Sequence, residues 1–501
     1  MLKRILFLIA FVIFHQTYAQ ETNPKPIERP TPPVSSSGAV KIDGKTINYT
    51  AKAGTMPLRN ENNEVIAHFG FTSYTKEGGA NYRPIMFAYN GGPGSSSFWL
   101  HMGLLGPKRI AVDDPNFNKA APYEIVNNDY SILDIADLVM IDPVGTGLSV
   151  PAGEAEFKDF WGVDQDSRSI ALFITQYLIN EGRMNSPKFL LGESYGTFRN
   201  ATVMNRLLNQ GIAMNGVIMV SAVFDLRTLM FPPDDDIPYV VNFPTYAATA
   251  FYHKKVQGNW SNMDSFVQEI RTFTEEEYMP ALFKGDQISG ADKQAMATKL
   301  ANYTGTKADY WLKADLKVTA SEFFAEFLRD EDKIVGRLDS RYTGHSFDGI
   351  AQNGAYDPQS SAISPAYIQG FLHYLHNDLG VSKNQMYTIT AGRRPGFNWD
   401  WSHAGNGGWG GSMAAINTGP DMAEALTKDP NMKMLVLNGY LDIATVFYGV
   451  EHSLNHLGLP KAVKDNITMK YYEAGHMMYT DMVSLIKVKA DLSEFIKDAL
   501  N

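Results

Sequence analysis

The chain has 501 residues, 44% hydrophobic and 20% charged, with a net charge of −10 and no cysteine. This composition excludes disorder over the whole length, gives no basic stripe for neutralising nucleic-acid phosphates, and rules out disulfides, so stability has to come from a large apolar core. The length suits one large domain carrying an insertion, or two ordinary domains.

The N-terminus, MLKRILFLIAFVIFHQTYAQ, places Lys3 and Arg4 ahead of an apolar run and ends near Thr17-Tyr18-Ala19. That pattern predicts a secretory signal over residues 1–19. The run from Ile5 to Phe14 is shorter than the roughly 20 apolar residues a membrane span requires, so no stable membrane anchor is expected. Residues 20–39 are rich in Pro and Ser and predict a flexible leader. Export from the cell, to a periplasmic or extracellular location, follows from the signal.

Folded structure is expected to begin near Val40, and from Lys41 the chain alternates through INYTAKA and VIAHFGFTSYT, which predicts antiparallel edge strands. Short apolar runs follow, each stopped by Gly, Asp or Pro: IMFAYN, ADLVMID, KFLLG and GVIMVSA. Runs that do not alternate belong to strands buried on both faces of a parallel sheet. Amphipathic stretches such as SRSIALFITQYLIN and FRNATVMNRLLNQ lie between them. The expected fold is therefore α/β, a doubly wound, mostly parallel sheet, with its first part at residues 40–225. Residues 226–425 lack this rhythm, contain PPDDDIP and HAGNGGWGGS, and are expected to form a mostly helical cap. KMLVLNGYLD and TMKYYEAGH restore the strand pattern over residues 426–501.

In LGESYG, Ser194 falls between Gly192 and Gly196, at the point where a strand passes into a helix. Gly-x-Ser-x-Gly alone is a weak signal. On a strand-to-helix turn it predicts a nucleophile, with glycines where a Cβ would meet neighbouring backbone. A serine hydroxyl needs a base, and the base needs a carboxylate. In this fold class they follow the serine in the order acid, histidine. Of the eleven histidines, His476 lies just after the last strand, and Asp442 lies just after the strand before it. Asp225 also ends a strand and is the rival acid. His452 and His456, four residues apart, and His373 and His376 read as surface or packing residues, and no metal site is expected. His101 is close enough to the glycine loop to line a pocket.

AYNGGPGSSS, residues 88–97, lacks the Lys of a P-loop and the Gly-x-Gly-x-x-Gly of a dinucleotide site, so no cofactor is expected. The loop after this early strand and the residue after the nucleophile are placed to stabilise an oxyanion, which assigns the N–H groups of Gly92 and Tyr195. NGGPGSSS, LVMIDPVGTGLS, LGESYG, LNGYLD and AGHMM, in that order, resemble the serine carboxypeptidase family. The resemblance covers roughly residues 80–225 and 430–480. It implies the α/β-hydrolase fold, Ser194, Asp442 and His476 as the triad, Gly92 and Tyr195 as the oxyanion hole, and Asn90, Gly91 and Glu193 as the site for a peptide's free C-terminal carboxylate. Many members carry an acidic residue where Leu104 stands and a Trp where Ala88 stands. Ser95 replaces a common Cys, and Met478 with Tyr479 replaces a hydrophobic-Pro pair. The expected activity is release of C-terminal residues from peptides through an acyl-enzyme. An acyltransferase, or an esterase or aminopeptidase, would use the same triad.

Overall fold

The computed structural model describes residues 30–80, 82–403 and 417–501. The expected signal, the first half of the expected leader and most of the glycine-rich HAGNGGWGGS stretch lie outside the described residues.

Nine strands of the main sheet, numbered in chain order, are β1 (Val34–Ile42), β2 (Lys45–Arg59), β3 (Val65–Lys76), β4 (Ile85–Tyr89), β5 (Asp137–Asp142), β6 (Lys188–Glu193), β7 (Gly216–Val220), β8 (Lys433–Gly439) and β9 (Ile467–Tyr472). With Val150–Pro151 pairing onto β3, they form a ten-stranded sheet in the spatial order β1-β2-β3-β5-β4-β6-β7-β8-β9. β1 to β3 are antiparallel, β3 meets β5 antiparallel, and every later neighbour pair is parallel. The expected α/β architecture is what the chain adopts.

The apolar runs do not alternate because both faces of the parallel strands are covered. Phe87, Leu190, Val217, Met219 and Val436 pack on one side, against the helices Val163–Asn180 and Tyr195–Asn209. Met86, Leu191, Ile218, Val220 and Leu437 pack on the other, against the helices Pro358–Asn377 and Met482–Asp498. Alternate side chains thus enter opposite layers, as a period of two requires.

Two expectations are corrected. β1 begins at Val34, inside the segment read as flexible leader, and runs in register from Val34 opposite Ala53 to Ile42 opposite Lys45. Ser35 and Ser37 sit on its exposed face, so a strand with one solvated side looks like a linker in composition. The cap is also less uniform than expected. The helices between Ile237 and Glu326 close around their own core, with Phe243, Phe273, Trp311 and Phe323. Pro358–Asn377 and Gly419–Lys428 instead join the apolar layers on the sheet's two sides, so layers of the main domain reappear well before residue 426.

One buried ion pair, Arg199 with Asp166, ties the helices Val163–Asn180 and Tyr195–Asn209 together. Arg199 is 1% exposed; its Nε donates to Asp166 at 2.6 Å and its Nη1 to the Asn90 carbonyl at 2.8 Å. The guanidinium also lies over the rings of Tyr89 and Tyr195. Removing one partner strands the other's charge away from water. Arg199→Met should therefore cost about 3–5 kcal/mol in urea denaturation, and adding Asp166→Leu should recover much of it.

Candidate active site

β6 ends at Glu193 and a helix begins at Tyr195, leaving Ser194 on the turn with φ 59° and ψ −129°. A non-glycine residue in that region costs of order 1–3 kcal/mol, which its surroundings must hold in place. Here the Ser194 N–H donates to Val220 O at 3.0 Å, and its carbonyl accepts from Thr197 at 2.8 Å. Both flanking glycines are needed for close approach. A Cβ at Gly192 would run into the Gly196 carbonyl, and one at Gly196 would lie 2.9 Å from Tyr89 O.

Asp442, fully buried, follows β8, and His476, 5% exposed, follows β9. The two meet: His476 Nδ1 lies 2.8 Å from Asp442 Oδ2. Asp442 Oδ1 also accepts from the Ala444 and Thr445 amides at 2.8 and 3.0 Å. A carboxylate can only accept, so Nδ1 carries the imidazole proton and Nε2 is left with its lone pair. Burial opposes charging of His476, but the Asp442 carboxylate outweighs it and leaves the imidazole pKa above its ordinary value.

Ser221, at the end of β7, links this pair to the serine turn. Val220 lies opposite Glu193 in the sheet, and the Ser221 hydroxyl donates to the His476 carbonyl at 2.6 Å. The Thr445 hydroxyl sits between the Ser221 carbonyl at 3.0 Å and Asp442 Oδ2 at 2.7 Å. Neither Ser221 nor Thr445 stood out in the sequence, because a serine or threonine after a buried strand has no pattern of its own. Asp225, the rival acid, is committed elsewhere: it caps Leu226–Leu229, pairs with Arg227 and accepts from Asn417.

Asn90 and Glu193 are buried together. Asn90 Nδ2 donates to Glu193 Oε1 at 3.0 Å, and the Tyr479 hydroxyl donates to Oε2 at 2.7 Å. Asn90 Oδ1 in turn accepts from the Leu100 amide at 3.1 Å. Burial pushes Glu193 up to about 7, against the opposing effects of His476 and of its two hydrogen bonds. Tyr479, which departs from the family pattern, thus supplies a donor to this carboxyl, while Leu104 is packed in the core. Ala88 is buried within β4, Met478 is buried, and Ser95 turns its hydroxyl to the Ser96 carbonyl.

Gly91 and Gly92 shape the loop that faces the turn. Gly92 has φ 108°, and a Cβ at Gly91 would collide with the Tyr195 amide and lie 2.8 Å from the Gly196 amide. Backbone cannot step aside as a flexible side chain can. Gly91→Ala should displace the Tyr195 N–H, lower kcat/KM for peptide by about tenfold to a hundredfold, and lower the melting temperature as well, since overpacking costs about 1–3 kcal/mol.

The other histidines that the sequence singles out are engaged in contacts of their own. His101 does not line a pocket: it is 2% exposed, Nε2 is 2.6 Å from the Tyr74 hydroxyl, and burial pushes it down to about 3, so it is a neutral core residue. His452 and His456 stack their rings on each other, His376 is bound to the Val381 carbonyl, and His373 lies beside Asn377. Among the described residues no group of acidic and imidazole side chains is arranged to hold a metal, and no helix is long and apolar enough to cross a membrane.

The serine carboxypeptidase family model matches residues 43–312. The pheromone-processing carboxypeptidase KEX1 of Saccharomyces cerevisiae is 30% identical over 171 residues, which cover 31% of this chain and 22% of that protein's length. The solved structure of KEX1Δp, a prohormone-processing carboxypeptidase of the same organism, is 15% identical and superposes with a TM-score of 0.54 over 90% of this chain and 92% of that one, a likeness of fold. A soluble variant of monoglyceride lipase from Saccharomyces cerevisiae matches at 11% identity and TM-score 0.36, over 89% and 96% of the two chains.

Proposed function

Because the chain belongs to the serine carboxypeptidase family, we propose that it is an exported hydrolase that removes C-terminal residues from peptides through an acyl-enzyme on Ser194. The observation that carries this reading is the Asp442–His476 hydrogen bond, formed after β8 and β9 in the same sheet whose β6 ends on the strained Ser194 turn. His476 Nε2 takes the hydroxyl proton as the Ser194 oxygen attacks the last peptide carbonyl, and the Gly92 and Tyr195 N–H groups receive the oxyanion. The proton then passes to the leaving amine, the C–N bond breaks and the acyl group stays on Ser194. Water, deprotonated by the same imidazole, releases it. Asp442 keeps the proton on Nδ1 and stabilises the imidazolium.

The C-terminal carboxylate of the substrate is received by Asn90, the Gly91 backbone and Glu193. A carboxyl at about 7 is protonated in acid and can donate to a carboxylate that it would repel when ionised. Hydrolysis of a blocked dipeptide at acid pH tests the reading. Release of the free C-terminal amino acid by the wild type, and none by Ser194→Ala, is the expected result; equal release by both defeats it. Export rests on the N-terminal sequence, and N-terminal sequencing of the mature protein should find cleavage after Ala19.

A further inference from the structure

The segment 337–342, which lies beyond the residues the family model matches, is threaded between the loops that carry Asp442 and His476. On one side it brackets Asp442: Ser340 donates to Leu441 O at 3.0 Å, and Ile443 donates to Arg337 O at 3.0 Å. On the other side it holds His476, whose own N–H donates to Leu338 O at 2.6 Å. The Gly475 amide donates to Asp339 Oδ2 at 3.0 Å. A Cβ at Gly475 would run into the Asp339 side chain.

Asp339 is fully buried and is gripped by Arg341, whose Nε lies 3.0 Å from each carboxylate oxygen and whose Nη2 lies 2.6 Å from Oδ2. The same guanidinium turns its other nitrogen to Asp114, at 2.8 Å. Asp114 Oδ1 also accepts from the hydroxyls of Tyr342 and Thr480, at 2.7 and 2.8 Å. The loop from Gly475 to Thr480 is therefore pinned at both ends by one buried arginine, through Asp339 before His476 and through Asp114 after Tyr479. Burying two carboxylates is costly unless geometry repays it.

We propose that Asp339, with Arg341 and Asp114, is a positioning device that fixes His476 against Asp442 and, through the far end of the loop, Tyr479 against Glu193. This rests on the catalytic reading of Ser194 and His476 given above. Both Asp339 oxygens accept from N–H donors, so an amide at this position must turn its NH2 toward a donor in either orientation. Asp339→Asn should therefore loosen the His476 end, and Thr480→Val should loosen the Tyr479 end.

The full-length protein, wild type and variants, is tested with three readouts: the low-field proton resonance of His476 Nδ1–H, the rate at which a small neutral phosphonate labels Ser194, and KM for a peptide with a free C-terminus. Asp339→Asn should shift or broaden the resonance and slow labelling by about a hundredfold, with a smaller effect on KM. Thr480→Val should do the reverse, raising KM by about tenfold and slowing labelling less. A folded Asp339→Asn with the wild-type resonance and labelling rate overturns the proposal. So do two variants that change labelling and KM in the same proportion, since that is what general loosening gives. If Asp339→Asn does not fold, Arg341→Lys, which keeps the charge but not the planar fork, is read by the same criteria. A wild type that is neither labelled nor active on peptides defeats the catalytic reading, and the resonance alone then decides on positioning.

Discussion

Ser194→Ala should lower the turnover of a free-acid peptide by about a millionfold, on the scale seen when a triad nucleophile is removed, while leaving the urea midpoint within error of the wild type or above it. Stability should not fall because the hydroxyl gives no bond that the fold depends on, and the turn at φ 59° is held by backbone bonds that alanine keeps. Asp442→Asn should cost less, about ten-thousandfold. The Asp442 oxygens accept from two amides, the Thr445 hydroxyl and His476. An amide NH2 turned toward the ring favours the tautomer with its proton on Nε2, which can no longer accept from Ser194. Active-site titration with a serine-directed phosphonate, alongside kcat, separates loss of chemistry from loss of protein. A Ser194→Ala protein that retains turnover would mean that another group attacks the carbonyl.

The sheet was readable because parallel strands buried on both faces have a signature in composition alone, as in IMFAYN and KFLLG. The serine turn was readable because glycines at a strand-to-helix junction have a steric purpose. The acid was less so: Asp225 and Asp442 both end strands, and only the packing shows that Asp225 is spent on Arg227 while Asp442 faces His476. β1 was hidden because its exposed face is serine, which lowers apolar content without lowering strand pairing. The segment 337–342 was silent for a different reason. Its role depends on contacts across more than a hundred residues of chain, and an Asp-x-Arg spacing carries no local sign that its charges will be buried. Tyr479 was visible as a departure, but its bond to Glu193 is a fact of packing.

Amidating the C-terminus of a test peptide should lower kcat/KM at acid pH by about a thousandfold, since it removes charge-assisted hydrogen bonds worth roughly 1.5–3 kcal/mol each. The free-acid peptide should in turn lose about tenfold per pH unit above about 7, one ionisation being responsible. The sign follows from Glu193, which burial pushes up to about 7. Below that pH the protonated carboxyl keeps lone pairs for Asn90 and Tyr479 and has one O–H for the substrate carboxylate. Above it, two like charges face each other in a buried site. Glu193 and His476 influence each other's charge, so they titrate as a pair; the productive form has its single proton on Glu193 and a neutral Nε2. A second proton goes to His476 and produces the acid limb. Glu193→Gln should remove the alkaline limb and leave the acid limb nearly in place, because His476 takes its second proton while Glu193 is already neutral. Stability should move in step: a carboxyl raised by folding contributes stability that is full below the ordinary carboxylate range and is lost as pH rises through about 7. Urea midpoints of Glu193→Gln should therefore gain on the wild type between acid and mildly alkaline buffer. An alkaline limb that persists in Glu193→Gln, or an amidated peptide cleaved as fast as the free acid, would assign the carboxylate to some other group.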